Sequence, residues 1–191
     1  LSNNKLNVMV VGVGGQGLIT LSNLIARASL KAGNNAIVAE THGLSQRGGT
    51  VIVHVRIGDV NAPLMPPGEA HVMLSMELIE ALRYSNYLRE DGKVVVNDYL
   101  LPPPLPGIKV PRSEEIYTSL SEFEVYKVNA TQKAVELGDP RVANIILLGK
   151  ALKEGLFTEF FNADHLKEVL KETWPRSYET NLKALEIGLG S

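Results

Sequence analysis

An apolar run, Val8-Met9-Val10-Val11, breaks directly into Gly12-Val13-Gly14-Gly15-Gln16-Gly17, and this junction narrows the folding choices of the chain further than any other stretch. Behind the glycines, Leu18, Leu21, Leu24, Ile25 and Ala28 recur at helical spacing as far as Lys31 and Ala32, with Gly33 as a stop. Residues 7–33 therefore read as strand, glycine loop, helix, a Rossmann-like start. Glycines turn sharply and let a ligand or a second backbone come close, while the first N–H groups of a helix have no partner inside it. The loop is a candidate anion seat, which makes Gly12, Gly14, Gly15, Gln16 and Gly17 candidate binding residues.

Gly12, Gly14 and Gly17 match G-x-G-x-x-G, and Glu40 closes the next apolar run at about the 20-residue distance where a dinucleotide fold places its ribose-binding acid. Taken alone, the match says NAD or FAD. A dinucleotide fold would continue with a crossover helix, whereas Glu40 is followed by Thr41-His42-Gly43-Leu44-Ser45-Gln46-Arg47-Gly48-Gly49, which carries no amphipathic helix. A long alternating segment then starts at Thr50, so the second crossover is missing or displaced. Close packing of the glycines, without a ligand, is the plain alternative.

Composition removes several functions. With no cysteine, the chain can form no disulfide, offers no thiol nucleophile and lacks the thiolates that hold an iron–sulfur cluster. His42, His54, His71 and His165 show no metal-ligand spacing. The 19 basic and 21 acidic residues are spread without a basic run, so no nucleic-acid footprint is expected. No apolar run is long enough to span a membrane, and no charged stretch followed by an apolar one marks a signal peptide, so a soluble, cytoplasmic chain is expected. A length of 191 residues fits one domain with a substantial core.

Taken in order, Ala36-Ile37-Val38-Ala39-Glu40 reads as a second strand, parallel to the first because a helix separates them. Residues 51–57 alternate, with Val51, Val53, Val55 and Ile57 on one face and Ile52, His54 and Arg56 on the other; His54 reads as structural. A turn at Gly58-Asp59 and a proline-stiffened connection over residues 61–68 follow. His71-Val72-Met73-Leu74 is a short strand, Ser75 is placed to cap a helix bearing Leu78, Ile79, Leu82 and further on Tyr87 and Leu88, and Asp91-Gly92 turns the chain into the β-branched strand 93–98. After the proline-rich spacer 102–107, Ile108-Lys109-Val110 reads as a short strand, followed by a helix from Ser113 and a last strand over 124–128. Asn129 and Thr131 open a helix ending at Gly138, and Asp139-Pro140 opens another whose apolar residues nearly encircle the axis; within it Asn144 must find hydrogen bonds and is placed to hold a neighbouring loop. Amphipathic helices around Leu166 to Trp174 and after Pro175 complete a three-layer α/β/α domain on a mostly parallel, mixed sheet.

If the strands ending at Val11, Glu40, Leu74, Val96 and Val128 run parallel in one sheet, their carboxyl ends bring the glycine loop, Glu40, Ser75, Asn97, Asp98, Asn129 and Thr131 to one edge, where open α/β sheets bind ligands. Helix caps and turns explain most of these. The glycine loop and Ser45, Gln46, Arg47, Gly48 and Gly49 exceed that explanation, because an arginine beside two glycines suits gripping a phosphate or carboxylate, or lying flat against another subunit.

The stretches 11–17, 40–49 and 139–144, in that order and spacing, resemble the gamma-domain family of 2-oxoacid:ferredoxin oxidoreductases, with its indolepyruvate-type members nearest in likeness; the resemblance runs from about residue 7 to residue 189. It implies a single domain over residues 1–191 that serves as the non-cluster subunit of a larger enzyme. Such an enzyme oxidatively decarboxylates an aryl-pyruvate to an aryl-acetyl-CoA and passes the electrons to ferredoxin. In that family thiamine diphosphate stabilises the carbanion and iron–sulfur clusters carry the electrons. The resemblance assigns both, together with Mg, to the larger partner subunit, and leaves this chain no cofactor of its own. It also brings coenzyme A phosphates to the glycine loop, Arg47 or the strand-end edge. Two other classes stay open, a stand-alone dinucleotide-binding oxidoreductase and a purely structural assembly module.

Overall fold

β1 (Lys5–Val13) is buried over residues 6–12. An apolar run without polar alternation needs cover on both faces, which an interior strand obtains. The computed structural model describes residues 4–42, 49–102, 107 and 109–191. Its sheet also contains β2 (Ala36–His42), β3 (Thr50–Gly58), β4 (Ala70–Ser75), β5 (Leu88–Asn97) and β6 (Glu124–Val128), in the spatial order β2-β3-β1-β4-β5-β6. β1, β4, β5 and β6 are parallel neighbours, whereas β3 is antiparallel to both β1 and β2. β2 therefore runs in the direction of β1, as expected, but β3 stands between them.

Two helical layers cover the sheet. On one face lie α1 (Leu18–Lys31), α4 (Ala130–Glu136), α5 (Ala143–Lys153), α6 (Ala163–Thr173) and α7 (Tyr178–Leu189), packed on Val8, Val10, Val53, Val55, Leu74 and Val95. On the other lie the short α2 (Leu78–Arg83) and α3 (Ser113–Ser119), packed on Met9, Val11, Met73, Val94 and Val96. Successive residues of each strand feed opposite layers, as the two-residue period of a strand requires. α5 and α7 approach so closely that a Cβ on Gly188 would sit 2.3 Å from the Ile146 carbonyl oxygen, and one on Gly149 2.6 Å from that of Leu185. Glycine at both positions permits the contact.

Four local expectations are corrected. Ser75 does not cap α2; Glu77 does, its Oε2 accepting from the Glu80 N–H at 2.9 Å, because a carboxylate one residue before the helix reaches the third N–H and a hydroxyl three residues before it does not. The helix stops at Arg83, Tyr87 falls in the 3-10 turn Ser85–Tyr87, and Leu88 opens β5. Asp91 and Gly92 lie inside β5 as an irregularity: Ala70 pairs with Leu88 and Val72 with Lys93, so the chain bulges there without leaving the sheet. Lys109 and Val110 belong to no strand, and Ile108 lies outside the described residues. No described helix is long and apolar enough to cross a membrane.

Candidate functional site

The carboxyl ends of β1, β4, β5 and β6 form one rim, and on it the glycine loop joins β1 to α1. The loop is largely satisfied from within. The Gln16 carboxamide folds back so that Oε1 accepts from the Val13 N–H at 2.8 Å and Nε2 donates to the Met76 carbonyl at 3.3 Å. A Cβ on Gly12 would lie 2.6 Å from that Oε1, so the first glycine makes room for Gln16. Gly17, at φ +75°, ends the loop in the left-handed region and starts α1.

Because β1 and β3 pair along Lys5↔Gly58 to Val13↔Thr50, the ladder carries on into the turns, and the Gly14 N–H donates to the Gly49 carbonyl at 3.0 Å. The structure thus joins Gly49 to the glycine loop. Ser45, Gln46, Arg47 and Gly48, predicted to share this rim, lie outside the described residues.

The insertion of β3 changes what Glu40 can do. In a dinucleotide fold the acid ends the strand next to β1 and reaches the ribose above the glycine loop. Here Glu40 pairs with Val53 on β3, two strand spacings, roughly 10 Å, from β1. The ribose-binding geometry is not formed.

Further along the rim, the Asn97 side chain donates to the Met76 carbonyl at 3.1 Å and to the Thr131 hydroxyl at 2.7 Å, and accepts from the Thr131 N–H at 3.2 Å. The Met76 carbonyl therefore takes donors from both Gln16 and Asn97 and ties the glycine loop to the start of α4. Asn144, 3% exposed, donates from Nδ2 to the Gly17 carbonyl at 3.0 Å, holding the loop as its sequence position suggested. Asp139 caps the 3-10 turn Pro140–Val142, and its two oxygens accept from Arg141 Nε and Nη2, each at 2.8 Å. These hydrogen bonds hold its carboxyl below the usual range.

Between the starts of α1 and α5 this arrangement leaves a cleft of about 450 Å³, with Gly15, Gly17, Thr20, Asn144, Trp174 and Asn181 among its lining. Sequence reasoning flagged the glycines and Asn144 but missed Trp174 and Asn181. Trp174 follows the last residue of α6 and Asn181 lies in α7, both read as packing elements, and periodicity carries no sign of which helix end meets the rim. It also missed Glu77, 1% exposed, whose Oε1 accepts from the Leu101 N–H at 2.8 Å and whose burial pushes its carboxyl up. The signal available was an acid just before the apolar pair Leu78-Ile79. His54 is structural, as read: buried, accepting from the Met65 N–H at 3.3 Å and edge-on to Tyr87. A second cleft, of about 260 Å³, opens beside His71 and Lys93 and contains none of the sequence-predicted site residues. Among the described residues no group of three or more His, Asp or Glu is placed to hold a metal ion.

The model of the pyruvate ferredoxin/flavodoxin oxidoreductase family matches residues 7–191. The indolepyruvate oxidoreductase subunit IorB of Archaeoglobus fulgidus is 43% identical over 190 residues, covering 96% of this chain and 94% of that protein. In fold, the chain is similar to the pyruvate oxidoreductase subunit PORC of Thermotoga maritima, with a TM-score of 0.77 at 19% identity over 99% of this chain and 97% of that one. It is also similar to part of the 2-oxoglutarate:ferredoxin oxidoreductase of Magnetococcus marinus, solved with 2-oxoglutarate, coenzyme A and succinyl-CoA. There the TM-score is 0.75 at 20% identity, over 99% of this chain and 31% of that one.

Proposed function

This chain belongs to the pyruvate ferredoxin/flavodoxin oxidoreductase family, and on that premise we propose that it is the non-cluster subunit of a cytoplasmic indolepyruvate-type 2-oxoacid:ferredoxin oxidoreductase. The complex converts an aryl-pyruvate and coenzyme A to an aryl-acetyl-CoA and carbon dioxide, and an electron pair leaves for ferredoxin. The observation that carries the reading is the 43% identity to an indolepyruvate oxidoreductase subunit over almost the whole of both chains.

The donor set fits this division of labour. Iron–sulfur clusters are held by thiolates, and the chain has no cysteine. We assign the clusters to the larger partner subunit, and with them thiamine diphosphate and its magnesium, as the family membership implies. This chain's own contribution is the rim: the glycine loop, Gly49 and, through residues outside the described set, Ser45, Gln46, Arg47 and Gly48. We assign that rim to the coenzyme A phosphates at the partner's reaction centre.

Reconstitution tests the proposal. The chain and its larger partner together reduce ferredoxin with indolepyruvate and coenzyme A, and either alone does not; turnover by this chain unaided overturns it. In the assembled complex Arg47→Ala raises the KM for coenzyme A while the KM for the 2-oxoacid stays put. An unchanged KM for coenzyme A removes the phosphate role and leaves an assembly role only.

A further inference from the structure

The second cleft, of about 260 Å³, opens beside the starts of β1 and β4 and the bulge of β5, at the opposite end of the strands from the glycine loop. In its wall, His71 has one nitrogen engaged and one not. Nδ1 accepts from the Asn7 N–H at 3.0 Å, which puts the proton of the neutral ring on Nε2, and Nε2 is buried without a hydrogen-bond partner. Burial, then Arg89 and Lys5, push the imidazole down and so favour that neutral form. Turning the ring over gives no relief, because it takes Nδ1 away from Asn7. An unpaired buried donor is costly, and an acceptor on a molecule seated in the cleft supplies what it lacks.

The charges around His71 select the molecule. Lys93 and the carboxylates of Asp91 and Glu154 line the same cleft. They are already in ion pairs, with Glu124, Arg89 and Lys150 at 3.0, 2.9 and 2.6 Å. An ammonium has several N–H groups and a carboxylate several lone pairs, so each keeps capacity to spare. Two carboxylates turn away a simple anion, and a lysine beside an N–H donor turns away a simple cation. A molecule carrying both charges meets neither objection. Leu6 and Leu156 add apolar surface. The volume lies below the roughly 300–1,000 Å³ of pockets for drug-sized ligands, so the molecule is small.

We propose that this cleft binds an α-amino acid with an apolar side chain: its carboxylate on His71 Nε2 and Lys93 Nζ, its ammonium on Asp91 and Glu154, and its side chain against Leu6 and Leu156. The proposal goes beyond the reading of the rim and does not rest on it, since the two clefts share no lining residue. An α-amino acid and its 2-oxoacid differ at one carbon, and the two carboxylates read that difference by accepting the ammonium.

Calorimetric titration of the full chain with L-leucine and L-phenylalanine tests it. At least one binds at millimolar concentration. The tighter of the two is then compared with the amine that lacks its carboxylate and the 2-oxoacid that lacks its ammonium, and each of these binds at least about tenfold more weakly. Glu154→Gln weakens the amino acid about tenfold without weakening the 2-oxoacid, a split that a mere loss of cleft shape does not produce. If Glu154→Gln fails to fold, Asp91→Asn, at an exposed carboxylate, takes its place with the same expectation. In a long-range proton–nitrogen spectrum the His71 Nε2 signal moves at saturation. No binding by either amino acid, analogues that bind as tightly, unchanged amino-acid affinity in the folded variant, or an unmoved His71 Nε2 signal overturns the proposal.

Discussion

The two layers that sandwich the sheet differ in thickness and in what they bury. The layer of α1 and α4–α7 has five helices, a stacked Phe157–Phe161 pair at 4.7 Å and the close glycine contact between α5 and α7. Its buried polar side chains, Ser22, Ser29, Asn144 and Asn181, are all neutral. The layer of α2 and α3 has two helices of six and seven residues, and it buries the ionisable His54, Glu77 and Glu80. The ionisable groups of the thin layer are as buried as the neutral ones of the thick layer, and Glu77 is accommodated by backbone donors, the N–H groups of Glu80 and Leu101. The cleft opens on the thick side, between the starts of α1 and α5.

The contrast is sharpened most by cavities. Phe157→Ala should cost about 4 kcal/mol, whereas Leu120→Ala in the thin layer should cost about 2 kcal/mol because its surroundings can collapse. Denaturant midpoints measured side by side give the ratio, and equal losses would break the comparison. Overpacking comes next. Gly188→Ala drives a methyl into the Ile146 carbonyl and should cost about 3 kcal/mol, read as a lower melting temperature with the secondary structure kept.

Acid gives the smallest effect and should come from the thin side. Burial, aided by Arg56, pushes the His54 imidazole down, so the folded protein favours its neutral form. The stability this carries is fully present above the ordinary histidine value of about 6.5 and is lost as the pH falls from there towards the depressed folded value. Stability should therefore drop between pH 7.5 and 5.5, by at most about 1.4 kcal/mol per pH unit for this group. His54→Gln should flatten the slope, leaving the part due to His71, which burial lowers in the same direction. An unaltered slope in His54→Gln would assign the acid response elsewhere.

What the sequence made legible was local. The glycine loop, the alternation of β3 and the buried Asn144 each announce themselves within a few residues, because turn chemistry and periodicity act at short range. The place of β3 did not, since alternation says that a segment is a strand and nothing about which strands flank it. With that neighbour unknown, Glu40 kept the look of a ribose-binding acid until the sheet order removed it. The cleft's far wall was hidden for the same reason: Trp174, just after α6, and Asn181, in α7, lie more than 150 residues from the glycine loop, and packing alone brings them together. At short range, Glu77 was passed over for Ser75 because hydroxyls are the commoner caps.

The bond from the Gly14 amide to the Gly49 carbonyl has a practical consequence. It yokes two turns that the chain separates by more than thirty residues, so a displacement imposed on one is transmitted to the other without passing through the core. A spectroscopic label beside Gly49 should consequently report events at the start of α1, which makes that position a listening post for whatever the rim engages.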